Sequence, residues 1–283
     1  MTEIPAGSER FSVILHTSRR DGEPETIGIA QVAADAPWRW LAAGWSDLIA
    51  MPAISLFYGA LFSVMAVAMT FALAAIGWSS AMLALAGGFL LIGPVLAVGL
   101  YEASRCRASG VKPRISDVLS AGFASPGQFS LLGLMMLLVF LIWLQAAFLL
   151  YVAVFGERPV PPLETFVQIL FFTWQGLTLL AATGFVAVCL GAFVFTMAAI
   201  SAPMLIDRPV SASTALFASL NAVVLNPKPM ALWAVLIAGF TAIGLVTLCL
   251  GLAVVFPLIG YASWHAYREI TGGGTADEEA DLR

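Results

Sequence analysis

Charge is what this chain has least of. Only 11% of its 283 residues are charged while 60% are hydrophobic, with a mean hydropathy of +0.94. A soluble chain carries about 25% charged residues. Four stretches, 48–101, 118–156, 165–206 and 229–267, contain no Asp, Glu, Lys or Arg at all. A membrane helix needs about 20 apolar residues, so the composition describes a polytopic membrane protein. Cysteine is nearly as scarce. Cys106, Cys189 and Cys249 are odd in number, far apart and within or beside apolar segments. That pattern excludes a disulfide framework and a cysteine metal clip, and it reads as small buried apolar residues.

Histidine occurs twice, as His16 and His265. Two such positions cannot ligate a haem between spans, and Cys-x-x-Cys-His is missing. No cofactor is expected. The middles of the apolar segments hold no ionisable residue, which leaves a proton relay or a carboxylate ion site without side chains. His-Glu-x-x-His and a nucleophile–base pair at depth are also missing, so enzyme activity is not expected. There is no basic run to suit nucleic acid. The first 36 residues lack a basic segment followed by an apolar one, so no cleaved signal peptide is expected. The net charge of −4 comes mostly from the tails.

What is present is organised along the chain. Residues 1–36 mix charge with Gly, Pro and Ser and read as a mobile cytoplasmic tail. From Pro37, the residues Trp38, Leu41, Trp45 and Leu48 recur at helical spacing, with Arg39, Ser46 and Asp47 between them. Residues 37–51 are therefore an amphipathic helix, either lying on the membrane surface or packed on the membrane domain.

The 48–101 stretch of 54 residues would be about 80 Å long as one helix, against a hydrocarbon core of about 30 Å. It divides at Gly77–Ser80 into helices over 53–76 and 81–103. Further spans fall at 130–155 and 177–203, with a short interfacial helix at 165–175. Residues 229–267 would be about 58 Å long as a single helix, too long for tilt to absorb. They read as two spans turning near Gly244–Cys249.

With the N-terminus inside, nearly all Lys and Arg between spans fall on the cytoplasmic side and only Arg158 falls outside. Arg268, just past the last apolar residue, also belongs inside and requires an even number of spans. The expectation is an all-α bundle of six transmembrane helices over 52–268. Both termini are cytoplasmic, and 269–283 is a disordered acidic tail.

An internal likeness supports that count. Pro94 through Arg105 aligns without gaps on Pro257 through Arg268, matching Tyr101 to Trp264 and Glu102 to His265. A shorter echo runs from Pro203 to Arg208. Three related hairpins would follow, with interfacial segments leading to Pro126 and Pro227.

Several motifs together carry a family resemblance. They are Gly44-Trp45-Ser46-Asp47, Gly88 through Pro94, Gly99-Leu100-Tyr101-Glu102, Asp207-Arg208 with Asn226-Pro227, and Trp264 through Arg268. Over roughly 37–270 they resemble the bacterial integral membrane family called domain of unknown function 2189. Members of that family are sometimes labelled cytochrome c oxidase subunits. The resemblance implies a fold and a bacterial inner membrane, and it implies no reaction.

Two groups of residues could serve a function. The first is a polar cluster at the cytoplasmic rim: Glu102, Arg105, Asp207, Arg208, His265 and Arg268. Glu102 would pair there with Arg268 or His265, or the arginines would simply fix helix depth. The second is a hinge or cavity set, Pro94, Gln145, Pro203 and Pro257. The prolines free backbone carbonyls, while Gln145 would line a path or bond between helices. Small residues such as Gly184, Gly191, Gly244 and Gly251 read as close helix contacts.

Two functions follow. One is a non-catalytic accessory or assembly component of an inner-membrane, respiratory complex, which expects a solid bundle. The other is a pore or carrier for a neutral or lipidic solute, which expects a cleft lined by Gln145 and the prolines. Partners would be membrane lipids, with either a membrane-protein complex or a second copy of the chain.

Overall fold

The computed structural model describes residues 11–18, 24–123 and 126–272. Its element order shows one pattern three times. A shorter helix leads into a long helix that opens on proline: α1 (Ala36–Ala50) into α2 (Pro52–Ala75), α5 (Ile115–Ser120) into α6 (Pro126–Phe155), and α10 (Ala212–Leu225) into α11 (Pro227–Val246). Proline suits the first helical turn because its missing N–H would have no partner there. The chain then returns through α3 (Ala81–Leu96) and α4 (Val98–Ala108), through α8 (Trp174–Ala198) and α9 (Ser201–Asp207), and through α12 (Leu252–Ile270). The short α7 (Leu163–Phe172) precedes α8.

Five helical segments are long and apolar enough to cross a membrane: 52–75, 81–108, 129–155, 174–207 and 227–246. The last charge-free stretch does divide, with its turn at 247–251 between α11 and α12. Leu248 and Cys249 take left-handed backbone angles in that turn, φ 53° and 64°. The Ser63 hydroxyl donates to the Cys249 carbonyl at 2.7 Å, and Thr247 Oγ1 accepts from the Gly251 amide at 2.9 Å. These bonds hold a conformation that side chains otherwise disfavour.

The helices group around two centres. α12 is buried along most of its length, wrapped by α1, α2, α4 and α11. Two glycines allow this. A Cβ on Gly44 would meet the Ala262 backbone nitrogen at 2.7 Å, and one on Gly59 would meet the Ala253 carbonyl at 1.9 Å. The second centre is α6, packed by α3, α8 and α10. Consecutive helices α2 and α3 barely touch, because α2 lies along α12 and α3 along α6.

Several expectations change. Part of the segment read as a tail forms an antiparallel hairpin, β1 (Phe11–Ser18) and β2 (Pro24–Ala30). Ile27 and Ile29 of β2 are fully buried. Asn226, 2% exposed, anchors this edge. It accepts from the Val32 amide at 2.8 Å and donates to the Ala30 carbonyl at 3.0 Å. At the other end α12 continues through Glu269, past the expected start of the acidic tail; residues 273–283 lie outside the described residues.

The face of α1 also differs. Trp38 and Trp45 point outward, while Trp40, Leu41, Gly44 and Asp47 are buried. The short side of a helix with glycine on it approaches a neighbour more closely than one bearing tryptophan. Cys189 is exposed rather than buried. Gly184 and Gly191 meet nothing within 4 Å where a Cβ would stand, so they make no close helix contact; Gly244 does, against Leu252.

Candidate functional site

Ionisable side chains gather where α1, α4, α9 and α12 end together. The centre of the group is Asp47, which is 4% exposed. Gly44 lets α1 lie against α12, and that contact carries Asp47, one helical turn later, inward. Three donors from two other helices meet its carboxylate. Ser104 Oγ donates to Oδ2 at 2.5 Å, His265 Nε2 lies 3.0 Å from the same oxygen, and Arg107 donates to Oδ1.

Burial pushes the Asp47 carboxyl up. Hydrogen bonds from His265 and Ser104, with the charges of His265 and Arg107, outweigh that and leave it below the ordinary carboxylate value. An ionised carboxylate only accepts, so His265 Nε2 carries the proton it shares with Asp47. Close by, a separate pair, Ser55 Oγ and the Tyr261 hydroxyl 3.1 Å apart, joins α2 to α12.

The other rim residues pair locally. Glu102 receives Arg105 through Nε at 2.8 Å and Nη2 at 2.7 Å, and Cys106 Sγ at 3.3 Å. It therefore does not engage His265, whose carboxylate partner is Asp47. Tyr267 donates to Asp207 at 2.7 Å and accepts from Arg208 Nε at 3.1 Å. Arg268 lies in the last turn of α12. Glu269 accepts from Arg39 and from the Trp40 indole, each at 2.7 Å. The six rim residues thus share one end of the bundle as several small clusters, and the residue joining three helices is Asp47.

Asp47, Ser104 and His265 are the residue types of a hydrolytic triad in a different arrangement. Ser104 donates to Asp47 rather than to His265, so the nucleophile–base bond that acyl transfer needs is not assembled. Among the described residues no group of three or more His, Cys, Asp or Glu could hold a metal ion.

The second feature is a cavity of about 430 Å³ at the seam between the two helix groups. Its walls are α3, the first turn of α4, α8, α11 and α12. Pro94 lines it, together with Gly93, Gly191 and Gly260. Pro203 is buried in the first turn of α9, and Pro257 is buried within α12 without interrupting it; neither lines the cavity. Gln145 is exposed on the outside of α6, so it neither lines the cavity nor bonds between helices among the described residues.

The lining is apolar except for three hydroxyls, on Tyr101, Thr241 and Ser263. Tyr101 and Ser263 lie close enough to interact. Helices α8 and α11 hardly touch. Val188 on one and Val235 on the other line the opening while 70% and 67% exposed. The cavity therefore opens sideways, at the depth of membrane-spanning segments.

Residues 81–207 match the family model described as Predicted integral membrane protein (DUF2189). The family resemblance drawn from the motifs holds over that segment, which includes Gly88–Pro94, Gly99–Glu102 and Asp207. Gly44–Asp47, Asn226 and Trp264–Arg268 lie beyond it. No curated protein and no solved structure matches the chain. With its family segment and its apolar helices, the chain is an integral membrane protein.

Proposed function

We propose that the protein is a non-catalytic component of the bacterial inner membrane that takes up a neutral, lipidic molecule from the bilayer. One observation carries this reading: a side-opening apolar cavity whose lining includes no charged residue. Its volume falls among those of small-molecule sites, about 300–1,000 Å³. An apolar wall at membrane depth favours an uncharged occupant, since a charge placed there would lose its hydration without a partner.

Six crossings with both termini cytoplasmic belong to the same proposal. α12 has 19 residues and at about 1.5 Å per residue nearly spans the hydrocarbon core. Its lower hydropathy suits a helix shielded by four others, which need not face lipid. The three proline-opened long helices support three up-and-down pairs. Their partners in space are exchanged, since α2 rests on α12.

A second reading is accessory membership of a larger membrane complex, respiratory or other. The polar rim favours it, because half-exposed Arg39, Arg105 and Arg107 offer charge to a partner on one side.

Purification in mild detergent, with mass spectrometry of co-purifying lipids and proteins, tests both. We expect one neutral lipid near one per chain in the wild type. Loss of specific lipid, with stoichiometric foreign subunits instead, would replace the carrier reading by the accessory one.

A further inference from the structure

The cavity holds one polar group that the fold leaves unused. Thr241 is 5% exposed, and its hydroxyl has no hydrogen-bond partner among the described residues. The other two hydroxyls of the lining, on Tyr101 and Ser263, have each other as neighbours. A buried hydroxyl without a partner is unfavourable, and folds rarely keep one without a bound molecule to complete it.

Its position is informative. Thr241 lies fourteen residues along α11 from Pro227, about 21 Å above that end of the helix. Tyr101 and Ser263 lie nearer the rim, on α4 and α12. Thr241 is five residues, about 8 Å, from the Val246 end of the same helix, so the unpaired hydroxyl lies inside the apolar span, in the half away from the rim, and everything between it and the Tyr101–Ser263 pair is apolar. Gly93 and Gly191 face this space with nothing within 4 Å of where a Cβ would stand. The room is therefore in front of backbone, where a chain can lie flat.

We propose that the cavity binds an uncharged long-chain molecule bearing one hydrogen-bonding oxygen, such as a long-chain alcohol or ketone, with that oxygen on Thr241 Oγ1. This rests on the lipidic reading above and narrows it. A phospholipid is a poor fit because the lining has no charged side chain to receive its headgroup, which would lose its hydration inside the cavity. A plain hydrocarbon is a poor fit because it leaves the hydroxyl unpaired. A fatty acid anion meets no cation in the lining.

Radiolabelled oleyl alcohol binding to the full chain in nanodiscs tests this, with oleate and 1-octadecene as competitors. Unlabelled oleyl alcohol should compete best. Thr241→Val, which keeps the shape and removes the oxygen, should weaken oleyl alcohol about five-fold, the worth of one hydrogen bond. The same change should leave 1-octadecene competition unaltered or improved. Gly191→Leu and, independently, Gly93→Leu fill the cavity from two different helices and should abolish binding at unchanged thermal midpoint.

If both filling variants abolish binding while Thr241→Val does not weaken it, the Thr241 assignment is wrong and the cavity reading stands. If neither filling variant reduces binding, the cavity reading itself fails.

Discussion

At the scale of single residues, Asp47 is a charged group that joins three helices. Its carboxylate ties α1 to α4 through Ser104 and Arg107, and to α12 through His265. Asp47→Asn removes the charge that Arg107 and His265 face. Hydrogen bonds to a charged group are worth about 1.5–3 kcal/mol each, so a loss of about 2–3 kcal/mol is expected, softened because Arg107 can turn to water. Denaturation in detergent, followed by circular dichroism, measures it. Glu102→Gln removes the charge that half-exposed Arg105 pairs with and weakens the Cys106 contact, within one helix, and should cost about 1 kcal/mol.

Acid should act through the same group. The folded Asp47 carboxyl sits below its ordinary value of 3.8. Its contribution is therefore complete above that value and is lost as pH falls through the folded one. The thermal midpoint of the wild type should drop below about pH 4, and Asp47→Asn should flatten that drop; equal slopes in the two proteins would exclude Asp47 as the cause. From sequence, Asp47 is visible as one polar position on an amphipathic helix. Nothing local shows that its face is the buried one. That depends on Gly44 meeting Ala262, two residues more than two hundred positions apart.

At the scale of elements, helix positions follow directly from apolar runs broken by Gly, Pro and Ser, and most bounds fall within a few residues of the expected ones. The departures have identifiable causes. The hairpin β1–β2 is short and mixed in composition, and only its burial of Ile27 and Ile29, with the Asn226 bonds, gives it a place. The prolines aligned in sequence act differently, because a kink depends on what packs beside it: Pro94 precedes a break at Ala97, whereas Pro257 sits in an unbroken α12.

Glycines divide the same way. Gly59→Val would drive a side chain into the Ala253 backbone and should separate α2 from α12, lowering the thermal midpoint by several degrees. Gly184→Ala enters open space and should be neutral or stabilising by up to about 1 kcal/mol. Melting curves of the two variants side by side decide it, and comparable losses would show that the glycine contacts do not govern packing here.

At the scale of the molecule, two helix groups, one around α12 and one around α6, meet at a seam that is filled near the rim and open between α8 and α11. The proposed six-crossing arrangement predicts that single cysteines placed at Ser109 and at Lys228 react from the cytoplasmic side. One placed at Glu157, in a background lacking the native cysteines, should react from the outside. Impermeant maleimide labelling of intact cells and inverted vesicles reads this directly, and labelling of Lys228 and Glu157 positions from one side would require an odd number of crossings between them to be abandoned.

By itself the sequence determined that the chain lives in a membrane and where its long helices run, because both depend on local composition and on the thickness of the bilayer. Only the tertiary structure decided which helices are neighbours, that α12 lies at a centre, that Asp47 rather than Glu102 meets His265, and that Gln145 faces outward. The physical reason is that these depend on the shape of one helix surface against another. In lipid, where apolar faces are interchangeable, a hydrophobic pattern does not say which face turns inward.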